Sequence, residues 1–218
     1  MTTAVTALPL LGLRVPAGPV ELRGITDDLL GPLADLATDI HEPEAMPFSY
    51  PWSLTPPADM PRSLAQYHWG KRASFSPAAW TMDFAVFYDG ELAGSQGFIT
   101  RDYLVTRTGE TGSWLGRRFQ GRGIGTAMRQ VICGFIFDYL DAAAITSAAF
   151  EDNPASLAVS RKVGYADNGT AVVSRLDKPA TLRRVILEPG NLARYPHEPV
   201  TEGVPQFRES IGLSANGQ

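Results

Sequence analysis

The chain is poor in cysteine and histidine. A single cysteine, Cys133, occurs in 218 residues, which excludes an internal disulfide and a zinc site built from thiolates. Cys133 lies in an apolar run, which is typical of a buried, unreactive thiol rather than of a nucleophile. The three histidines, at positions 41, 68 and 197, show no metal-binding spacing, so we expect no metal site.

The chain also lacks a long hydrophobic run and a strong net charge. The longest apolar stretch, residues 131–150, is interrupted by Asp138 and Asp141, so no membrane-spanning helix is expected. The first 15 residues have no basic start, and Pro9 breaks their apolar run, so we predict a cytoplasmic protein without a signal peptide. The net charge of −4 argues against a nucleic-acid or anionic-membrane partner.

Hydrophobic periodicity predicts an α/β protein. The expected single domain covers residues 1–190, and an extended C-terminal tail covers 191–218. Asp-Gly-Glu at 89–91 is typical of a hairpin turn between two strands. Strands are predicted at 19–26, 80–88, 91–99, 104–115, 143–150, 170–177 and 182–188, and helices at 27–40, 59–72, 123–140 and 153–164.

Three glycines, Gly121, Gly123 and Gly125, alternate at the start of the clearest predicted helix. No GKS or GKT follows, so a phosphate loop of nucleoside triphosphatases is excluded. Thr126 replaces the third glycine of a dinucleotide-binding loop, which therefore fits poorly. The spacing from Gln120 to Gly125 fits a loop for the pyrophosphate of coenzyme A, whose oxygens would accept hydrogen bonds from N–H groups at the helix start. A tight turn that only opens the helix is the alternative.

Three stretches support the coenzyme A interpretation together. They are GETGSWLGRRFQGRGIGTAMR (109–129), FEDNPASLAVSRKVGY (150–165) and FAVFYDGELAGSQGF (84–98). In this order they resemble the GNAT superfamily of acyl-CoA N-acyltransferases, and within it the branch of ribosomal-protein-alanine acetyltransferases. The resemblance implies a mixed, mostly antiparallel sheet of six or seven strands with helices on both faces. It also implies an N-acetyltransferase that uses acetyl-CoA as co-substrate.

The resemblance implies which residues bind the cofactor. The strand before the glycine loop should separate from its neighbour, and the pantetheine arm should pair with backbone in that gap. The loop N–H groups should bind the pyrophosphate, and nearby arginines should supply charge or face solvent. The expected cofactor-binding residues are Trp114, Leu115, Gly116, Arg117, Gln120, Gly121, Arg122, Gly123, Ile124, Gly125, Thr126, Asn153 and Ser156.

Amine acetylation requires a base that removes a proton from the attacking amine. Glu110 is the candidate catalytic base, because the resembling branch carries a glutamate there that faces the acceptor; a surface role beside a turn is the alternative. Ser156 is the candidate hydroxyl at the leaving thiol, although it and Asn153 could instead cap a helix. Ser160 stands where many relatives carry a tyrosine, so the usual acid is missing.

The proline-rich segment 41–57 is the candidate acceptor wall. Its aromatic residues Phe48, Tyr50 and Trp52 are the expected substrate contacts, with a packing role onto the core as the alternative. The expected acceptor is a primary amine, either a peptide N-terminus or a small amine. A non-catalytic acyl-CoA-binding or regulatory module remains the second functional hypothesis, and a homodimer stays open.

Overall fold

The computed structural model describes residues 4–42 and 44–215. The described residues form one eight-stranded sheet with the order β1-β2-β3-β4-β5-β6-β8-β7. All neighbouring strands are antiparallel except β5 and β6, which are parallel. The strands are β1 (Arg14–Ala17), β2 (Val20–Gly24), β3 (Ala79–Tyr88), β4 (Glu91–Arg101), β5 (Thr108–Leu115), β6 (Ala144–Phe150), β7 (Ala166–Arg175) and β8 (Lys178–Leu187).

The helices pack on the two faces of this sheet. In the described part of the chain they are α1 (Ala4–Ala7), α2 (Asp27–Ala37), α3 (Met60–Ala73), α4 (Tyr103–Thr106), α5 (Ile124–Leu140), α6 (Pro154–Val163) and α7 (Val204–Ser210). None of these helices is both long and apolar enough to cross a lipid bilayer. The expected mixed, mostly antiparallel sheet with flanking helices is confirmed.

The sheet has one strand more than the six or seven expected from the sequence. The additional strand is β1, which has four residues, contains Pro16 and pairs with β2 at the sheet edge; on its outer side only an isolated bridge joins Arg14 to Glu202 among the described residues. Such a short segment shows too little alternation to be recognised from its hydrophobic pattern.

Local signals placed several elements correctly. The hairpin between β3 and β4 turns at Asp89 and Gly90, both with positive φ (49° and 81°), as two-residue hairpins require. Helix α6 begins after Asn153, whose side-chain oxygen accepts a hydrogen bond from the Ser156 N–H, and ends at Gly164 with φ 107°. The predicted capping of this helix is therefore confirmed.

The expectation of an extended C-terminal tail is corrected by α7. Phe207 and Ile211 are fully buried in the main core, and the Phe207 ring lies 5.5 Å from that of Trp80. The apolar residues that anchor this helix, Val204 among them, are few and stand among prolines and glycines. The helical pattern of apolar residues consequently extends over too few positions to be recognised in the sequence.

Two cores hold the sheet between its helices. On one face α2 and α3 pack on β3 through a cluster that includes Leu33, Met60 and Ala85. On the other face α5 lies along the centre of the sheet, with Ile132 and Phe135 completely buried. Because side chains alternate along a strand, each strand residue can be assigned to the α2–α3 face or to the α5 face.

Candidate active site

A gap between β5 and β6 is the central feature of the site. The two parallel strands pair only where Thr108–Glu110 meets Ala144–Thr146, and they separate beyond that row. The other edge of β5 remains paired with β4 as far as Leu115. The Thr111 carbonyl still accepts a hydrogen bond from Ser147 Oγ at 3.0 Å, so the edge of β5 that faces β6 is open only beyond Thr111, where it can pair with an extended ligand arm.

The backbone of β5 is only partly free in this gap. The Gly116 N–H donates to the Ala93 carbonyl at 2.9 Å, so this group points toward β4 rather than into the gap. Peptide groups alternate along a strand, so those of Ser113 and Leu115 face β6. The Leu115 carbonyl already accepts a hydrogen bond from Gln120 Nε2 at 2.8 Å. The sequence did not point to the Ser113 backbone as a partner of the pantetheine arm. It did predict Gly116 as a cofactor-binding residue, but the Gly116 N–H is already bonded to Ala93.

The glycine loop lies at the end of this gap. Gly121 and Gly123 have φ values of +70° and +81°, a region that side chains disfavour, and a Cβ on either would meet nothing within 4 Å. Within the described chain, the N–H groups of residues 121–125 donate no hydrogen bond, and helical bonding starts with the Thr126 N–H to the Gly123 carbonyl. Five free donors at the positive end of a 17-residue helix fit a pyrophosphate group.

Gln120 anchors the loop instead of facing a phosphate. Its amide nitrogen donates to the Ile40 carbonyl at 2.7 Å, in addition to the bond with Leu115. Through these two bonds the start of the proline-rich segment is tied to the end of β5. One side chain thus links the glycine loop to both of these segments.

The arginines beside the loop differ in how they are used. Arg117 forms ion pairs with Asp39 at 3.1 Å and with Glu42 at 2.7 Å, so its charge is largely engaged. Arg122 is exposed, lies 6.0 Å from the centre of the Tyr88 ring, and has no ion pair within the described residues. Because its charge is not paired in the described part of the chain, Arg122 is better suited than Arg117 to bind a phosphate.

Glu110 lies at the last paired row of β5, where the gap begins. Its side chain lies on the α2–α3 face, which it shares with Gly112 and the Trp114 side chain, and its carboxylate makes no hydrogen bond or ion pair within the described chain. Its carboxylate reaches solvent, but the surrounding protein partly desolvates it and raises its pKa, while the charge of Arg129 opposes this shift. A raised pKa improves proton acceptance from an amine near neutral pH.

Two glycines form an open floor next to Glu110. Gly97 of β4 and Gly112 of β5 are directly paired, and the space above Gly112 is empty. The Asp83 carboxylate covers Gly97: its Oδ1 would lie 2.4 Å from a Cβ there. The open surface therefore extends from Glu110 over Gly112, and the Asp83 carboxylate closes it at Gly97, on the face where the acceptor is expected.

Asp83 is a buried carboxylate that sequence analysis missed. Burial raises its pKa to about 6, against the effects of Lys71 and Tyr67. The nearest basic group is His68, whose Nδ1 lies 3.7 Å away, and burial lowers the His68 pKa to about 4, so the imidazole is neutral near pH 7. One charged residue inside the apolar run WTMDFAVFY was the only signal for this position.

An aromatic row borders this floor. The ring centres of Trp114 and Trp52 are 5.8 Å apart, those of Trp52 and Phe48 are 5.0 Å apart, and those of Phe48 and His41 are 5.8 Å apart. Phe48 and Trp52 also pack on the α2–α3 core, so both hypotheses for them, wall and plug, agree with the geometry. Tyr50 is 79% exposed and lies outside the row.

The start of α6 closes the site on the β6 side. A Cβ on Gly125 would lie 3.5 Å from Val159 Cγ2, which places α6 directly beside the glycine loop. Ser160 is buried and donates its hydroxyl to the Ser156 carbonyl at 3.1 Å, so it is fully used inside the helix. The half-buried Ser156 hydroxyl forms no hydrogen bond within the described chain.

A polar network lies beneath the gap on the α5 face. Its centre is Arg129 of α5, which is only 4% exposed and donates hydrogen bonds to side chains of β4, β5 and β6. Tyr165 joins it through Thr111 at 3.0 Å and contacts the Cys133 sulfur at 3.4 Å. Burial raises the pKa of that thiol to about 11, so Cys133 is unreactive at neutral pH.

Known proteins resemble this chain in sequence and fold. The model of the acetyltransferase (GNAT) domain family matches residues 20–166. A Bacillus subtilis protein named as a ribosomal N-acetyltransferase, YdaF, is 30% identical over 90 residues, which are 41% of this chain and 49% of YdaF. The chain thus matches about half the length of this curated relative.

Two solved structures share the fold at lower identity. RimL, a ribosomal L7/L12 alpha-N-protein acetyltransferase in complex with coenzyme A, has a TM-score of 0.68 and 17% identity, covering 80% of this chain and 97% of RimL. RimJ of Mycobacterium smegmatis, in complex with a CoA disulfide, has a TM-score of 0.67 and 20% identity, covering 84% and 88%. Groups of three or more residues suited to a metal ion are absent from the described residues.

Proposed function

The chain belongs to the acetyltransferase (GNAT) domain family, and from this premise we propose that it transfers an acetyl group from acetyl-CoA to a primary amine. One observation carries the proposal. Five unpaired N–H groups at the glycine loop and the open edge of β5 form a continuous path that ends beside an unpaired carboxylate, that of Glu110. This path fits a pyrophosphate, an extended arm and a reacting thioester, in that order.

The proposed cofactor contacts follow from the free groups. The N–H groups of residues 121–125 bind the pyrophosphate, with Arg122 adding charge. The pantetheine arm pairs with the backbone of Ser113 and Leu115 in the gap. Gln120 and Arg117 hold the loop in place from the acceptor side. We further propose that residues 1–190 form one acyltransferase domain, against which the C-terminal helix α7 is packed.

The proposed chemistry is direct attack. Acetyl-CoA supplies an activated acyl group, and the chain supplies orientation and a base. Glu110 accepts the amine proton, directly or through a water molecule, because its carboxylate is accessible and has a raised pKa. Ser156 donates its free hydroxyl to the departing sulfur from the first turn of α6. Family membership and the position of Glu110 favour this catalytic function over the non-catalytic module.

The acceptor proposed here is the N-terminus of a peptide or protein, in line with the name of RimL, an alpha-N-protein acetyltransferase. The glycine floor admits a slim chain, and Trp52 and Trp114 offer flat apolar contacts along one side. Asp83 and Glu110 place two carboxylates along the floor, which suits an ammonium group. A small cationic amine meets the same chemistry and is the competing acceptor.

A screen with matched acceptors tests the proposal. Peptides with free and with blocked N-termini, and polyamines, are incubated with acetyl-CoA, and acetylated products are identified by mass spectrometry. We expect product only from free amines, with peptides preferred, and Trp52→Ala should raise the peptide KM. Tyr50→Ala is the control, because this ring is exposed and outside the aromatic row. Equal peptide KM values for wild type and a folded Trp52→Ala variant would contradict the acceptor wall.

A further inference from the structure

Arg129 is a buried cation without a buried counter-charge. Its guanidinium donates to neutral oxygens only: Gln96 Oε1 at 3.2 Å, Thr111 Oγ1 at 3.2 Å, Ser147 Oγ at 3.1 Å and Ser113 Oγ at 2.8 Å. No ion pair involving it exists in the described ranges. Removing a charge from water without an opposite charge is costly, so a sequence retains such a residue only at a loss of stability.

Arg208 shows the usual solution to the same problem. This arginine is 2% exposed, and its Nη2 donates to Asp141 Oδ2 at 2.9 Å. It lies between α7 and the C-terminal end of α5, away from the glycine loop. The two buried arginines therefore differ in one respect that matters: the charge of Arg208 is neutralised by a carboxylate, and that of Arg129 is not.

The position of Arg129 indicates which negative charge it could meet. Its hydrogen-bond partners Ser113 and Ser147 stand on β5 and β6, on opposite sides of the gap, just beyond the row where the strands separate. Its field reaches this region, because it lowers the pKa of Glu110 against the effect of burial. The guanidinium thus lies beneath the gap on the α5 face, and its partner Thr111 directly follows the proposed catalytic Glu110 on β5.

The length of the gap brings the thiol end of coenzyme A to this position. From Leu115 back to Thr111, β5 spans four residues, or about 13 Å at the usual rise of a strand. An arm fixed at the glycine loop and paired along β5 extends over this distance toward Glu110. An arm on this path would bring its sulfur close to the guanidinium of Arg129, where β5 and β6 diverge.

Resting on the proposed function, we infer that Arg129 is the electrostatic partner of the thiolate that leaves during acetyl transfer. The amine nitrogen bonds to the thioester carbonyl carbon, the carbon–sulfur bond breaks with its electron pair going to sulfur, and the amine proton goes to Glu110. Arg129 keeps its own protons and lowers the energy of the charged sulfur. This accounts for a site in which Ser160, already bonded within α6, replaces the usual tyrosine acid.

The pKa of the thiol of bound coenzyme A tests this inference separately from catalysis. Thiolate absorbance is followed during a pH titration of the protein–CoA complex, and the complex with desulfo-CoA serves as the blank for tyrosines and Cys133. We expect the thiol of bound CoA to ionise at least tenfold more readily than that of free CoA. Arg129→Met should abolish this difference, and Arg129→Lys should retain part of it.

Arg208→Met is the matched control, because it removes a buried arginine far from the gap and should leave the ionisation of the bound thiol unchanged. With acetyl-CoA, Arg129→Met should lower kcat at least tenfold with little change in the KM for acetyl-CoA. A merely structural role would shift KM or stability and leave the thiol pKa as it is.

The outcomes separate this inference from the proposed function. If wild type binds CoA but its thiol ionises as in free CoA, the inference is wrong and the function stands. The same conclusion follows if Arg129→Met binds CoA with the wild-type thiol pKa. Should Arg129→Met fail to fold, the wild-type titration and Arg129→Lys still decide. Failure of wild type to bind CoA at all would overturn the proposed function itself.

Discussion

Replacing Gly123 by aspartate should abolish acetyl-CoA binding with little effect on the fold. The position has φ +81°, and a Cβ added there would have no protein atom within 4 Å, so the substitution introduces no clash at the Cβ. Aspartate tolerates this left-handed conformation better than most residues, and we expect a cost of about 1 kcal/mol in the free energy of unfolding. The new carboxylate, however, occupies the place proposed for the pyrophosphate.

The expected signal is large enough to measure by thermal unfolding. Acetyl-CoA at a hundred times its Kd should stabilise wild type by about 2.7 kcal/mol. For a chain of this size, that corresponds to a rise in Tm of roughly 5–11 °C. Two like charges about 4 Å apart near a protein surface repel by about 4 kcal/mol, which exceeds the binding term. The Tm of Gly123→Asp should therefore not respond to acetyl-CoA.

Gly169→Asp is the control for this experiment. Gly169 has φ +84° and only the far end of the Arg184 side chain near its Cβ position, and it lies on β7, three strands from β5. The substitution should cost similar stability or less, and the variant should keep the full rise in Tm with acetyl-CoA. An equal rise for wild type and Gly123→Asp would refute the placement of the pyrophosphate on this loop.

Three further predictions follow from the site. Glu110→Gln should lower kcat about a hundredfold or more and remove the acid limb of the pH–rate profile, with unchanged acetyl-CoA affinity; a wild-type profile would place the base elsewhere. Ser156→Ala should lower kcat by raising the activation free energy about 1.5–3 kcal/mol, whereas Ser160→Ala should keep a nearly normal kcat. The reverse ranking in steady-state kinetics would contradict this assignment. Asp83→Asn should stabilise the protein by roughly 1–3 kcal/mol at pH 7.5, because the folded state raises the Asp83 pKa to about 6 and penalises its charged form. The gain should shrink as pH falls from 6 toward 4, and urea unfolding that shows a pH-independent difference would disprove this origin.

The sequence could predict the features that depend on neighbouring residues in the chain. Alternating glycines before an apolar helical stripe indicated the loop, and Asn153 with Gly164 marked both ends of α6. Such signals arise from local backbone requirements, so they are present in any short window of sequence. The family resemblance then supplied the expectation of a mixed, mostly antiparallel sheet and of a strand that separates from its neighbour before the loop.

The missed residues depend on contacts between distant elements. Arg129 follows Met128 on α5 and looks like an ordinary exposed position until the pairing of three strands shows that its side chain lies under the sheet. Asp83 likewise became informative only when the register placed it beside Gly97. Gln120 matched the expected motif, yet its amide holds the Ile40 carbonyl, which no local pattern could reveal.

Release of free CoA thiol from acetyl-CoA, measured with and without a primary amine, tests the central claim most directly. The account predicts release that requires the amine, falls at least a hundredfold in Glu110→Gln, and is lost in Gly123→Asp. Tight binding of acetyl-CoA to wild type without thiol release, for every free-amine peptide and polyamine in the screen, would contradict it. That result would instead establish a non-catalytic acyl-CoA-binding module.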